Sequence, residues 1–273
     1  MQGKMLCVPF LYGLNTRAKT AMHRLSFFII FAGPIAINVM LMTMGGTPWL
    51  VFVLAFSAEY AVYEIGYIYN DTYTAGREKM PTKWIMPKYS TFVKGAYPVL
   101  IACRVLFLGI VLNLLLLMKV RNMGPFCLLM AMIYCTFTAH NYFRSSANVV
   151  TDGMLQILKY CSPLVLFTKQ FADLRFYIYI ILEIAFVRGA EFAIGKGYFF
   201  KRLQTQSIDT LRVIYYLALL VVAIGVSLIL GSIWEMIPGT LFLLLYRVFC
   251  KITSKSQKVS AERKRNSQIR EEK

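Results

Sequence analysis

Apolar runs of about 20 residues recur along the chain from near residue 25 to near residue 250, and this recurrence makes lipid the main solvent of the fold. The runs lie at 25–46, 48–70, 96–118, 123–143, 150–168, 173–192, 210–231 and 233–250. Each is continuously apolar rather than alternating. Because backbone polar groups in lipid must bond internally, such runs predict helices and not barrel strands. The expected fold is all-α: a polytopic membrane protein with about eight transmembrane helices. The composition agrees, since 58% of the 273 residues are hydrophobic and only 16% are charged, with a mean hydropathy of +0.58. Lys159 and Pro163 interrupt the fifth run, so a broken or interfacial helix is expected there. The expected organisation is an N-terminal segment over 1–24, a transmembrane domain over 25–250 and a basic, disordered or surface-bound tail over 251–273. No cleavable signal peptide is expected, because the first long apolar run begins after Arg24 and is long enough to span.

The formal charge of +17 raises the question of nucleic acid, but in a membrane chain a basic excess is first tested against the positive-inside rule. With eight spans and both termini cytoplasmic, 24 of the 30 Lys and Arg residues fall on the inside, and the outer loops hold only Lys119, Arg121, Lys169 and Arg175. An error of one span would scramble that bias. No nucleic-acid partner is expected, and the expected setting is the plasma membrane of a prokaryote. The six cysteines form no CxxC or CxxH pair, and most lie in apolar segments, which fits small core residues rather than metal ligands or disulfides.

Ionisable residues inside membrane helices are costly, so each is a candidate site. The second run carries Glu59 and Glu64, with Asp71 and Glu78 at its exit. Glu64, Asp71 and Glu78 are spaced at i, i+7 and i+14, so a continuing helix would place them on one face. Residues 64–70 (EIGYIYN) pair with 183–189 (EIAFVRG) at an offset of 119, which aligns Glu64 with Glu183 and predicts two repeated four-helix halves. The second exit, RGAEFAIGKGYFFKR, brings Arg188, Glu191 and Lys196. A third cluster, His140, Asn141, Arg144, Asn148 and Asp152, leaves the fourth run on the same face. Carboxylates, amides and cations at the mouth of an aromatic-walled membrane pocket suit a lipid diphosphate: carboxylates hold Mg²⁺, cations neutralise phosphate, and aromatic faces stabilise an allylic cation.

The sequence NDTYTAGREKMPT, at 70–82, resembles the first motif of the UbiA-type membrane prenyltransferases, Asn-Asp-x-x-Asp-x-x-x-Asp followed by Pro. Asn70 and Asp71 match the opening pair and Glu78 takes the last acidic position, while Thr74 stands at the middle Asp. The second motif, which in that family carries several Asp residues, has only Glu191 here beside Arg188 and Lys196, and the chain has one span fewer than the usual nine. The resemblance implies a prenyltransferase acting at the cytoplasmic face on an isoprenoid diphosphate or a polyprenyl-phosphate lipid. Mg²⁺ would be held by Asp71, Glu78 and Asn70, with Glu64 beside them. Arg77, Lys79, Arg188, Lys196, Arg144 and Asn70 would bind phosphate, and Tyr67, His140, Asn141, Glu183 and Glu191 would line the pocket. The acceptor is not readable. Two other functions remain open: a non-catalytic protein that binds a polyprenyl-phosphate lipid, and an ion-coupled transporter using Glu64 and Glu183.

Overall fold

The computed structural model of the chain describes residues 4–18, 21–44, 46, 48–74, 87–143, 147–169, 174–196, 202–203, 206–231 and 233–253. Among them the architecture is all-helical, with no β-strand. A 3₁₀ turn (Lys4–Cys7) and a short helix α1 (Leu11–Thr16) precede α2 (Ala21–Met42) and α3 (Trp49–Tyr69), which continues as a π-turn over Asn70–Thr74. Then come α4 (Pro87–Gly95), α5 (Tyr97–Leu117), α6 (Met123–Tyr142) and α7 (Ala147–Cys161). After α7 the chain runs as a 3₁₀ turn over Ser162–Leu166, then α8 (Leu174–Ile180), a π-turn (Ile181–Ala185), α9 (Phe186–Lys196), α10 (Ile208–Leu230) and α11 (Met236–Thr253).

Among the described residues, six helices are long and apolar enough to cross a membrane: His23–Met42, Trp49–Thr74, Tyr97–Leu117, Met123–Tyr142, Ile208–Leu230 and Met236–Thr253. The protein is therefore membrane-embedded. α7, with 15 residues, and α9, with 11, are shorter than the six. The expected break in the fifth run falls at Ser162–Pro163, where the α-helix tightens to a 3₁₀ turn at the residue that has no amide hydrogen to give.

α3 is the most enclosed of the six and packs against α5 and α6. α7 lies between α6 and α9, α2 meets α11 and α8, and α10 pairs with α11. α5 and α10 expose long rows of Leu, Ile and Val, and α6 exposes Leu128, Met132 and Tyr134, as helices bordered by lipid do. Local signals explain several ends. Ser207 caps α10 by accepting the Thr210 N–H at 3.2 Å, and Gly231, at φ 63°, supplies the left-handed residue that closes it. Asn122, also left-handed at φ 58°, starts α6 and donates to the carbonyls of Val165 and Thr168, tying this turn to the end of the 3₁₀ segment.

Candidate anion site

The N-terminal segment is built into the bundle through two membrane charges. Glu64 of α3 and Arg104 of α5 are both fully buried and pair at 3.0 Å. Glu64 also accepts the backbone N–H groups of Phe10 (3.1 Å) and Gly13 (2.8 Å), so it caps α1 from another helix and satisfies donors that a helix start leaves open. Arg104 in turn donates to the carbonyls of Leu6 (2.7 Å), Cys7 (2.8 Å) and Val8 (3.3 Å). Phe10 holds a left-handed φ of 71°, a strain of about 1–3 kcal/mol for a non-glycine residue. Its ring stacks on Tyr60 at 4.7 Å and meets Phe107 edge-on. A Cβ at Gly13 would run into the Tyr60 hydroxyl, so only glycine lets α1 lie this close to α3.

Asp71 is engaged by the same segment. Arg17 grips it with two bonds of 2.9 Å, and the Tyr12 hydroxyl donates a third at 2.9 Å. Burial, and then the Asp71 charge, push the Tyr12 phenol far above its usual range, so Tyr12 stays a donor. The Thr74 hydroxyl donates to the Asn70 Oδ1 at 2.8 Å. The sequence expectation was a metal held by Asp71, Asn70 and Glu78. Glu78 lies outside the described residues, and the oxygens of Asp71 are filled by an arginine fork and a phenol, a donor set that neutralises a carboxylate rather than leaving it for Mg²⁺. Among the described residues, no group of three or more His, Cys, Asp or Glu side chains could hold a metal.

The second exit has the opposite balance. Glu191 of α9 accepts from Arg212 of α10 through Nε and through Nη2 (2.8 Å), and from Arg188 at 3.3 Å. Arg212 also reaches Asp209 at 3.4 Å. Arg247 of α11 lies within electrostatic reach of Arg188, Arg212 and Glu191, is 3% exposed, and its Nε has no hydrogen-bond partner. It also lies over the ring of Tyr246 and within reach of Tyr216 and Tyr160. Arg188 lies beside the Tyr160 hydroxyl and within reach of Tyr67. Three guanidinium groups thus share one carboxylate, and the most buried of them, Arg247, makes no hydrogen bond to it.

Deeper in the bundle, the Lys159 ammonium sits over the rings of Phe31 (3.7 Å) and Tyr63 (4.7 Å). Its nearest acid is Glu59 of α3, a fully buried carboxylate with neither oxygen hydrogen-bonded. Glu183, in the π-turn, is fully buried with only neutral partners: Asn38 at 3.1 Å and the Thr240 hydroxyl at 3.4 Å. The π-turn's carbonyls at Leu182 and Glu183 are taken by the hydroxyls of Tyr215 and Tyr216. Glu64 and Glu183, aligned by sequence, therefore share burial but not surroundings, since only Glu64 has a counter-charge.

The structure does not bring all the predicted residues together. His140 bonds Thr151 of α7 at 3.0 Å, and Asn141 donates to the Gly66 carbonyl at 3.2 Å, so both fasten helices to one another. Arg77, Lys79, Glu78 and Arg144 fall outside the described residues, as does the side chain of Lys196. Tyr67, Arg188 and Glu191 do come together. Sequence reasoning missed Arg17, Arg212 and Arg247. The last two lie within the apolar runs 210–231 and 233–250, which was the available signal.

No family model matches the chain, and neither a curated protein nor a solved structure is significantly similar to it. The fold and the site thus define a class only: an all-helical, membrane-embedded protein in which three arginines, one of them buried, share one glutamate.

Proposed function

We propose that this protein binds the phosphate head group of a polyprenyl-phosphate lipid at the cytoplasmic face, through Arg188, Arg212 and Arg247 and without a metal ion. The observation that carries the proposal is Arg247, a buried guanidinium that shares the single carboxylate of Glu191 with Arg188 and Arg212 and whose Nε has no hydrogen-bond partner. Three guanidinium charges against one carboxylate leave an excess of positive charge, which a phosphate ligand offsets with charge-assisted bonds. A metal-dependent transferase needs carboxylates free to coordinate, and Asp71 and Glu191 both serve arginines. An exchanger built on Glu64 and Glu183 needs two comparable carboxylates, and Glu64 is committed to Arg104.

In this reading the bundle crosses the membrane eight times, in two UbiA-like four-helix halves. The stretch 147–166 contributes about 32 Å at the rises of its two helix types, and 174–196 is helical throughout, so each is long enough to count as a crossing. The cation bias places the arginine cluster and both termini in the cytoplasm.

The test is equilibrium binding of a labelled polyprenyl phosphate to the protein in nanodiscs, with inorganic phosphate and phosphatidylglycerol as competitors. Saturable binding that survives EDTA and is weakened about 10- to 100-fold by Arg247→Gln is expected. Competition by inorganic phosphate alone would assign the site to a free anion, and binding that requires Mg²⁺ would return the transferase to first place.

A further inference from the structure

Arg17 stands near the proposed phosphate site, across Tyr67, without belonging to it. Its guanidinium lies 4.5 Å above the Tyr67 ring, and the Tyr67 hydroxyl is within electrostatic reach of both Arg17 and Arg188. Tyr67 is thus shared between the Asp71 cluster and the arginine cluster. Arg17 follows α1 directly, and its N–H donates to the Gly13 carbonyl at 2.7 Å. The segment before it is fixed: Glu64 and Arg104 hold its main chain from Leu6 to Gly13. Any change of partner by Arg17 is therefore a side-chain movement from a fixed base.

The present partner resembles the ligand. Asp71 offers two coplanar oxygens to the Arg17 fork, as a phosphate does, so the same guanidinium geometry serves both. Asp71 is also provided for if Arg17 leaves, because it keeps the Tyr12 hydroxyl at 2.9 Å and the Asn70 amide at 3.4 Å. A carboxylate with such a reserve can release an arginine at lower cost than one with no other donor.

We propose that Arg17 is a fourth ligand of the lipid phosphate, held in reserve on Asp71 and delivered past Tyr67 when the phosphate enters; this rests on the phosphate-binding function proposed above. Asp71 is then a competitor of the ligand, and its removal favours binding. A purely structural latch gives the opposite sign, because losing either partner loosens the segment and weakens binding.

The experiment measures polyprenyl-phosphate binding in nanodiscs for the wild type, Arg17→Gln, Arg17→Lys, Asp71→Asn and Arg247→Gln, with the melting temperature of each as a fold check. Binding about tenfold weaker in Arg17→Gln, intermediate in Arg17→Lys and severalfold tighter in Asp71→Asn is expected. If Arg17→Gln does not fold, the opposite responses of Arg17→Lys and Asp71→Asn carry the decision. Wild-type binding that Arg247→Gln weakens but the Arg17 variants leave unchanged overturns the role of Arg17 and spares the site. Asp71→Asn binding more weakly than the wild type also overturns it. Failure of the wild type to bind overturns both proposals.

Discussion

Replacing Arg104 by Met removes the cation bonded to Glu64 and leaves the carbonyls of Leu6, Cys7 and Val8 without this donor. Both charges of the pair are fully buried. Breaking such a pair from one side costs about 3–5 kcal/mol, mostly because the remaining charge stays buried. Against a total stability of about 5–15 kcal/mol, that is a large fraction. Glu64→Gln should cost a comparable amount, since it leaves the guanidinium with neutral acceptors alone and leaves the start of α1 with a poorer cap. In the double variant neither charge remains, and the penalty should fall below the sum of the single ones by at least about 2 kcal/mol. Reversible denaturation in mixed micelles, followed by tryptophan fluorescence, gives all four corners of the cycle. Strict additivity, or a cost under about 1 kcal/mol for Arg104→Met, would mean that the pair does not hold the N-terminal segment, and the role assigned to Glu64 would be wrong.

Further outcomes follow from other contacts. In ligand-free protein, Arg247→Gln should raise stability by about 1 kcal/mol or more, because it removes a buried charge that faces two other arginines across one shared carboxylate; a fall in the same denaturation assay would contradict the cluster's role. Gly239→Ala should destabilise by about 1–3 kcal/mol, since its methyl would collide with the Glu183 carboxylate, whereas Gly95→Ala meets nothing and should be near neutral. Burial, and then the neighbouring Cys103 thiol, hold the Cys7 thiol above its ordinary range. Alkylation of Cys7 at pH 7 should therefore be slower than that of a free cysteine and should still be rising at pH 9, which mass spectrometry of timed samples would read out. EDTA should leave both stability and lipid binding unchanged.

How much of this was legible in the sequence depended on the range of the interaction. The apolar runs match the helices closely because a helix in lipid is specified by its own composition: 97–117 was read as 96–118 and 208–230 as 210–231. The break at Pro163 was legible for the same local reason. The depth of Glu64 was readable from its spacing, but its purpose was not, since its partners come from residues 10, 13 and 104. Asp71 shows the same limit more sharply. The sequence NDTYT looks like an acidic metal motif, and only the return of Arg17 across 54 positions turns it into an ion pair. Arg247 was overlooked because a basic residue near the end of a helix is ordinarily a snorkelling charge, and only packing distinguishes one that points inward.

The clasp made by Glu64 and Arg104 on the N-terminal segment also imposes an order on assembly. The receptor for residues 4–17 is completed only when position 104 has been synthesised, so α3 enters the bilayer with an ionisable side chain whose permanent partner arrives later. Until α5 lies beside it, Glu64 lacks the Arg104 cation and the main chain from Leu6 to Gly13 lacks its full dock. A segment made before α3 and α5 is thus among the last to reach its native contacts. Folding of the amino-terminal half should finish as a single late event, when segment, α3 and α5 close together.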